Sequence, residues 1–392
     1  MPAVGSVLKE EPGFPAEMAY CQKCHLAQLT YAVDPNVLFP PDYPYTSGTT
    51  KVLRENFADL YKDVSRVVGL AKEDLIVDIG SNDGTLLSNF LKGGHRVLGI
   101  EPSLQAKKAE AVGIRTLMRF FDGQAVSVVK SEQGDPKVVT ATNVFAHIPN
   151  VHAVMQDIDQ LVGSEGVFIT ESHYLLDLVE TLQYDTIYHE HLRYYSLASI
   201  KNLLEGHGFR VFSVKRIPSH GGSIRVYTSK SPRYKPDASV TQLLRLEEQN
   251  GLTSGAWIPE FRSRVARSKV GLYQLLGSLP KGSTVYGIGA PSRASTLINY
   301  VGLDDSLVNC VMEVPNSQKL NKYIPGTKIP VLDEAKLYQD QPSHVLLLSW
   351  HIAAELCENL KRRGYKGDFI VPLPEPRVIG SGDVVAHSLG AL

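Results

Sequence analysis

Thirteen residues from Tyr184 to Ser196, YDTIYHEHLRYYS, hold two histidines, one glutamate, one aspartate and four tyrosines. An imidazole exchanges protons near neutral pH, a carboxylate accepts or orients, and a phenol donates to a developing oxyanion. A solvated loop needs no such concentration of groups; a reaction that moves a proton does.

A second constellation suits a cofactor. The apolar run Leu75 to Ile79 breaks into SNDG, and Leu86, Leu87 and Phe90 follow at helical spacing. This predicts strand, tight turn and helix, with Asp78, Gly80 and Gly84 written D-x-G-x-x-x-G. A dinucleotide asks for G-x-G-x-x-G, its pyrophosphate resting on the helix N-terminus. Here Asp78 stands where the first glycine would be, Asp83 is close by, and both repel a pyrophosphate. S-adenosylmethionine carries an ammonium, a carboxylate and a sulfonium but no phosphate, so an acidic strand end suits it, and glycines admit its close approach. The next strand, VLGIE, ends in Glu101, 23 residues after Asp78, where a carboxylate can hold both ribose hydroxyls. Asn82 lies in the turn, and Asn143 opens the loop after the strand KVVTATN and is placed to touch the cofactor.

VYGIGAPSRAST (285–296) has the opposite charge logic. Gly287 and Gly289 follow a strand, no acid lies in the loop, and Ser292, Arg293 and Ser295 surround the helix start. Backbone amides, a helix dipole and a guanidinium suit an anionic nucleotide. A nicotinamide cofactor is the rival occupant, although the full GxGxxG is absent.

The elements that must position these groups alternate between strand and helix. They imply an α/β chain with two doubly wound Rossmann-like domains. The boundaries read as an N-terminal region at 1–50, a methyltransferase-type domain at 51–235, a helical connector at 236–280 and a smaller α/β domain at 281–392. The chain's 392 residues suffice for two or three domains. A net charge of −1 gives no support to a nucleic-acid or anionic-membrane surface. No run of about 18 apolar residues is present to span a bilayer, and MPAVGSVLKEEPGFP lacks a signal-peptide core. Four cysteines make no disulfide scaffold, so a reducing, cytoplasmic setting fits. Cys21 and Cys24 form half of a four-cysteine zinc site; the other half is missing. Cys310 and Cys357 are expected to be buried and inert.

Nine segments together identify a resemblance: YCQKCHLAQL, DYPYTSGT, VDIGSNDGTLL, GIEPS, TNVFAHIPN, YDTIYHEHLRYYS, HGGSIRVY, GIGAPSRASTLINY and YIPGTKIPV. Over nearly its whole length the chain resembles the nucleotide-sugar C-methyltransferases of deoxysugar biosynthesis. These methylate a carbon next to the ketone of a 4-keto-deoxysugar. The resemblance implies a zinc-binding N-terminal region, an S-adenosylmethionine-dependent methyltransferase fold, and a C-terminal Rossmann-like domain that helps bind the sugar nucleotide. The family carries another CxxC ahead of the one at Cys21, and this chain does not.

The resemblance also implies site roles. Methylating carbon requires a carbanion, and His191 is the base that takes the proton α to the ketone. Tyr188 donates to the keto or enolate oxygen. Glu190 orients a histidine or binds a sugar hydroxyl. His147 matches an active-site histidine and donates to the enolate oxygen. Tyr43 matches an active-site tyrosine, with Tyr45 the close alternative. His220, in HGGS, lines the sugar pocket or plays a structural part. Tyr184, Tyr194 and Tyr195 belong to packing, and His189 is not the reacting group. The partner is a small nucleotide-linked ketosugar, not a nucleic acid or a membrane. The alternatives are an NAD(P)-dependent nucleotide-sugar oxidoreductase using the C-terminal domain, an O- or N-methyltransferase, and a non-catalytic sugar-nucleotide binder.

Overall fold

The structure, a computed structural model, describes residues 1–5, 11–41 and 46–383. It divides into two units. One is Glu17–Leu176 with His189–Ala256; the other is Met1–Ala16 with Asp177–Tyr188 and Trp257–Leu392.

The first unit carries β1 (Met18–Tyr20), β2 (Ala27–Leu29), β3 (Leu75–Ile79), β4 (Arg96–Ile100), β5 (Thr116–Leu117), β6 (Val138–Thr142), β7 (Val167–His173), β8 (Arg193–Tyr194), β9 (Arg210–Ile217) and β10 (Ser223–Ser229). Seven of these form one sheet in the order β5-β4-β3-β6-β7-β10-β9. The first five run parallel, and β10 pairs antiparallel with both β7 and β9. Every residue of β3 and β6 is buried. Such strands are covered on both faces and so read as continuous apolar runs rather than alternating ones.

Helix Lys51–Val64 seats Leu53, Phe57, Leu60 and Val64 in the core at three- and four-residue steps. Helix Leu197–Gly206 starts on a capping box between Ser196 and Ser199. The amides of Leu197 and Ala198 also donate to the carboxylate of Glu247, on helix Ala238–Gln249. That satisfies donors a helix start leaves open. β1, β2 and β8 make a small separate antiparallel sheet.

The second unit carries β11 (Val285–Ile288), β12 (Cys310–Glu313), β13 (Val331–Asp333), β14 (His344–Leu347), β15 (Asp368–Val371) and β16 (Arg377–Ile379), in the order β13-β12-β11-β14-β15-β16. All but β16 run parallel. This is the doubly wound arrangement whose strand order reverses beside the first strand. The helical stretch expected at 236–280 resolves into Ala238–Gln249 in the first unit and Trp257–Gly277 in the second. Among the described residues no helix is long and apolar enough to cross a membrane. Cys310 and Cys357 are buried, and burial pushes their thiols up to about 12 and about 11. Thiols so shifted stay protonated and unreactive at neutral pH.

Candidate active site

The carboxyl edge of the seven-stranded sheet gathers the predicted cofactor residues. Asp78, the fourth residue of β3, is 2% exposed. Its Oδ1 accepts a hydrogen bond from Thr140 Oγ1 at 2.6 Å. Burial pushes its pKa up to about 7; the Thr140 bond pulls it down, and the nearby carboxylates of Glu101 and Glu171 push it further up. Absent a cation, burial therefore holds Asp78 well above the usual carboxylate range.

After Asp78 the chain turns sharply. Gly80 sits at φ +72°, and a Cβ there would lie 2.3 Å from Val144 Cγ2. Gly84, at φ +76°, opens helix Thr85–Lys92. Both positions need glycine for conformation and for space. Asn82 and Asp83 reach the segment that precedes helix Lys51–Val64. Asn82 Oδ1 accepts from the Ser47 amide at 2.8 Å, and Asp83 Oδ2 accepts from the Gly48 amide at 2.9 Å. Asp83 Oδ1 accepts from Thr85 Oγ1 at 2.7 Å. These two side chains thus fasten the residues before helix Lys51–Val64 to the turn. Glu101 accepts from the Asn82 amide (3.0 Å) and the Ser103 amide (2.9 Å), which fixes its carboxylate over the turn.

Asn143, just past β6, holds φ +54° and has a buried Oδ1 without a hydrogen-bond partner. Ser81 Oγ is buried and unpartnered as well. A buried polar oxygen left unpaired costs on the order of 1–3 kcal/mol, so Asn143 Oδ1 marks a place for a donor, whereas Ser81 Oγ lies against Gly99 of β4. Acceptor oxygens and a fixed carboxylate fit an ammonium and a ribose diol. They do not fit phosphates.

Beside this cradle stand four histidines. His147 ends the short 3₁₀ turn Phe145–His147 after β6. His173 ends β7, His191 lies just before β8, and His220 occupies the β9–β10 turn at φ +56°. Ring centroids are 5.0 Å apart for His147–His191, 4.8 Å for His173–His191 and 5.6 Å for His173–His220. His147 Nδ1 faces the backbone carbonyl of Glu190. A carbonyl only accepts, so Nδ1 carries the hydrogen, and in the neutral ring Nε2 is an acceptor. Neutral His147 thus accepts a proton at Nε2 rather than donating one. Residue type and motif point to His147, His191 and His220 but not to His173. Its only signal was position: a histidine closing a parallel strand at the edge where such sheets bind ligands.

Behind the histidines, on β7 and β10, the fully buried Glu171 and Arg225 pair at 2.6 Å. Asn56 joins both and Asp63 joins Arg225. No motif announced this network.

The other predicted residues are placed as follows. Tyr184, Tyr194 and Tyr195 are buried. Tyr188 closes the 177–188 segment of the second unit and is half-buried. Tyr43 and Tyr45 lie outside the described residues. In the second unit Gly289 takes φ +79°, and the amide of Ala290 donates to Glu313 Oε2 at 3.1 Å. Ser292 is exposed and Ser295 half-buried at the start of helix Ser292–Val301. Arg293 is 6% exposed; its guanidinium makes two bonds to Asp185, at 2.8 and 2.9 Å, and Trp350 Nε1 donates to the same carboxylate.

Cys21 and Cys24 lie in the β1–β2 turn, and the neighbouring His25 ring meets Tyr20 Oη at 3.2 Å. Among the described residues no third histidine, cysteine or carboxylate joins them in a metal-binding group. The pair as described does not fit the four-ligand set of a structural zinc.

Two family models match the chain: a methyltransferase domain over residues 52–214 and a C-methyltransferase C-terminal domain over residues 218–374. The C-methyltransferase NovU of Streptomyces niveus is 32% identical over 390 residues, covering 97% of this chain and 92% of that protein. Among solved structures, the PH0226 protein of Pyrococcus horikoshii is 14% identical, with a TM-score of 0.38, covering 50% of this chain and 96% of that one. A magnesium protoporphyrin IX methyltransferase from Synechocystis PCC 6803, solved with bound S-adenosylmethionine, is 16% identical, with a TM-score of 0.35, covering 51% and 99%.

Proposed function

The chain belongs to the C-methyltransferases, and we propose that its acceptor is a nucleotide-linked 4-keto-deoxysugar, deprotonated α to the ketone by His191 and methylated on that carbon. S-adenosylmethionine is the donor and supplies an electrophilic methyl group. Glu101 takes its ribose hydroxyls, Asp78 faces its ammonium, and Gly80, Asn82 and Asn143 shape the cradle. Gly84 starts the helix behind it, and Asp83 fastens the turn.

The single observation that carries this reading is the ring cluster at the same sheet edge, with His191 flanked by His147 and His173 at 5.0 and 4.8 Å. Oxygen and nitrogen acceptors own a lone pair. A carbon acquires one only when a base removes its proton, and a neutral imidazole does so without first losing its own. Tyr188, three residues earlier in the chain, donates to the enolate oxygen, and Glu190 orients a ring or holds a sugar hydroxyl. His220 lines the sugar side. In the second unit the turn at Gly289, with Ser292 and Ser295, is by itself suited to an anionic group.

The test is incubation with isotopically labelled S-adenosylmethionine and a panel of nucleotide-linked 4-ketosugars, read by product mass and by the position of the new methyl. His191→Asn should lose on the order of 10²–10⁴ in turnover while calorimetry shows donor binding unchanged. Methyl appearing on oxygen or nitrogen, or full turnover in that variant, would reject the proposal.

A further inference from the structure

We propose that His173 takes over the proton held by His191 and passes it toward His220. The inference rests on the C-methylation reading and adds a step to it. In that reaction the C–H bond α to the ketone breaks, its proton passing to a ring nitrogen of His191 and its electrons to the enolate. The enolate carbon then forms the new C–C bond as the S–CH₃ bond breaks and leaves its electron pair on sulfur. The sulfonium charge is lost, and one proton remains on His191 after each turnover. It must leave before the base can act again.

Two rings adjoin His191, and they differ. His147 holds its Nδ1 hydrogen against the Glu190 carbonyl, which accepts a hydrogen bond but cannot pass a proton on. A relay needs one nitrogen to accept while the other donates, so His147 is a dead end. His173 lies between two imidazoles, with His191 at 4.8 Å and His220 at 5.6 Å between centroids. It thus has an imidazole on each side, the arrangement a relay between rings requires. His220 is half-buried on the two-glycine turn His220–Gly222, at the end of the row. His173 acts through His191 and is thus a positioning and relay residue, not the base.

The test follows hydrogen exchange rather than methyl transfer. Ketosugar is incubated in D₂O with enzyme and no methyl donor, and wash-in of deuterium α to the ketone is read by mass. His173→Gln should slow wash-in by about tenfold or more, because the abstracted proton returns to carbon before it reaches solvent. Added imidazole should restore the rate in a concentration-dependent way and leave the parent protein unaffected. His173→Gln exchanging at the parental rate, or slowed but deaf to imidazole while still binding S-adenosylmethionine, would overturn the relay and leave the ring a packing role. A parent protein that shows no wash-in defeats the C-methylation reading itself, and the relay with it.

Discussion

Arg225 Nε lies 2.6 Å from Glu171 Oε1, and neither side chain has any exposed surface. The two residues face each other in register across β7 and β10. Arg225 also reaches Asp63 at 2.8 Å and Asn56 Oδ1 at 3.1 Å, and Asn56 Nδ2 donates to Glu171 Oε2 at 2.9 Å. Burial pushes the Glu171 carboxyl up and the guanidinium draws it back down. The network ties helix Lys51–Val64 to two strands directly behind Asn143, whose amide donates to the Glu171 carbonyl. Removing one partner strands the other charge in the interior. Arg225→Met should cost about 3–5 kcal/mol in urea unfolding, and adding Glu171→Gln should recover part of that loss. An Arg225→Met protein as stable as its parent would mean that this ion pair does not hold the site.

Asp78 sets a pH dependence. Its carboxyl is raised to about 7 by burial, against the pull of Thr140 and with the push of Glu101 and Glu171. A cationic donor favours the ionised form, so the pKa in the complex lies below that in the free protein. Binding then releases a proton at pH below about 7, and affinity rises with pH until the carboxyl is already ionised in the free protein. The slope is at most roughly tenfold per pH unit. Calorimetry with S-adenosylmethionine at pH 6 and pH 8, in buffers of different ionisation enthalpy, should show tighter binding at pH 8 and proton release at pH 6. Asp78→Asn should flatten the profile. Thr140→Val removes the bond that lowers the pKa, so it should move the rise to higher pH. Equal affinity at both values in the parent would contradict this account.

Gly80 is constrained twice, by φ +72° and by the 2.3 Å that a Cβ would leave to Val144 Cγ2. Left-handed backbone costs an L-residue about 1 kcal/mol or more, and the steric overlap adds to it. Gly80→Ala should therefore lower the unfolding midpoint and weaken donor binding. Val144→Ala in the same chain should relieve only the steric share. Complete recovery in the double variant would show that the backbone angle contributes nothing.

The parts of this fold that could be read ahead were those with local signatures. Leu75–Ile79 and its glycine turn, Glu101 at the end of β4, and the helix carrying Leu53, Phe57 and Leu60 all follow from apolar spacing and turn chemistry within about 25 residues. Asn82 and Asp83 show the limit. Residue type placed them at the cofactor turn, but only the structure shows their oxygens turned to the amides of Ser47 and Gly48. Glu171 and Arg225 are 54 residues apart, and an antiparallel register joins them. A one-residue slip would have sent their side chains to opposite faces, and nothing in either segment alone fixes that register. His173 was hidden for the same reason: its neighbours His191 and His220 come from other elements.

Arg293 separates a structural role from a substrate role. Its residue type and its place at the start of a helix after a glycine turn suggest an anion. The side chain instead forks onto Asp185 at 2.8 and 2.9 Å, stacks its guanidinium 5.1 Å from the Trp350 ring centre, and meets His351 Nδ1 at 2.9 Å. Asp185 is wholly buried and takes a third bond from Trp350 Nε1. A carboxylate so enclosed depends on its cation, and a planar fork is not replaced by a lysine's single ammonium. If this pairing is what Arg293 is for, Arg293→Lys should lower stability by a few kcal/mol, and KM for the ketosugar nucleotide in the folded fraction should change by less than about threefold. A ligand diphosphate on the same guanidinium would give the reverse: near-parental unfolding and a KM raised by about tenfold or more, since a charge-assisted bond is worth about 1.5–3 kcal/mol. Measuring urea midpoints and KM on one variant decides between them.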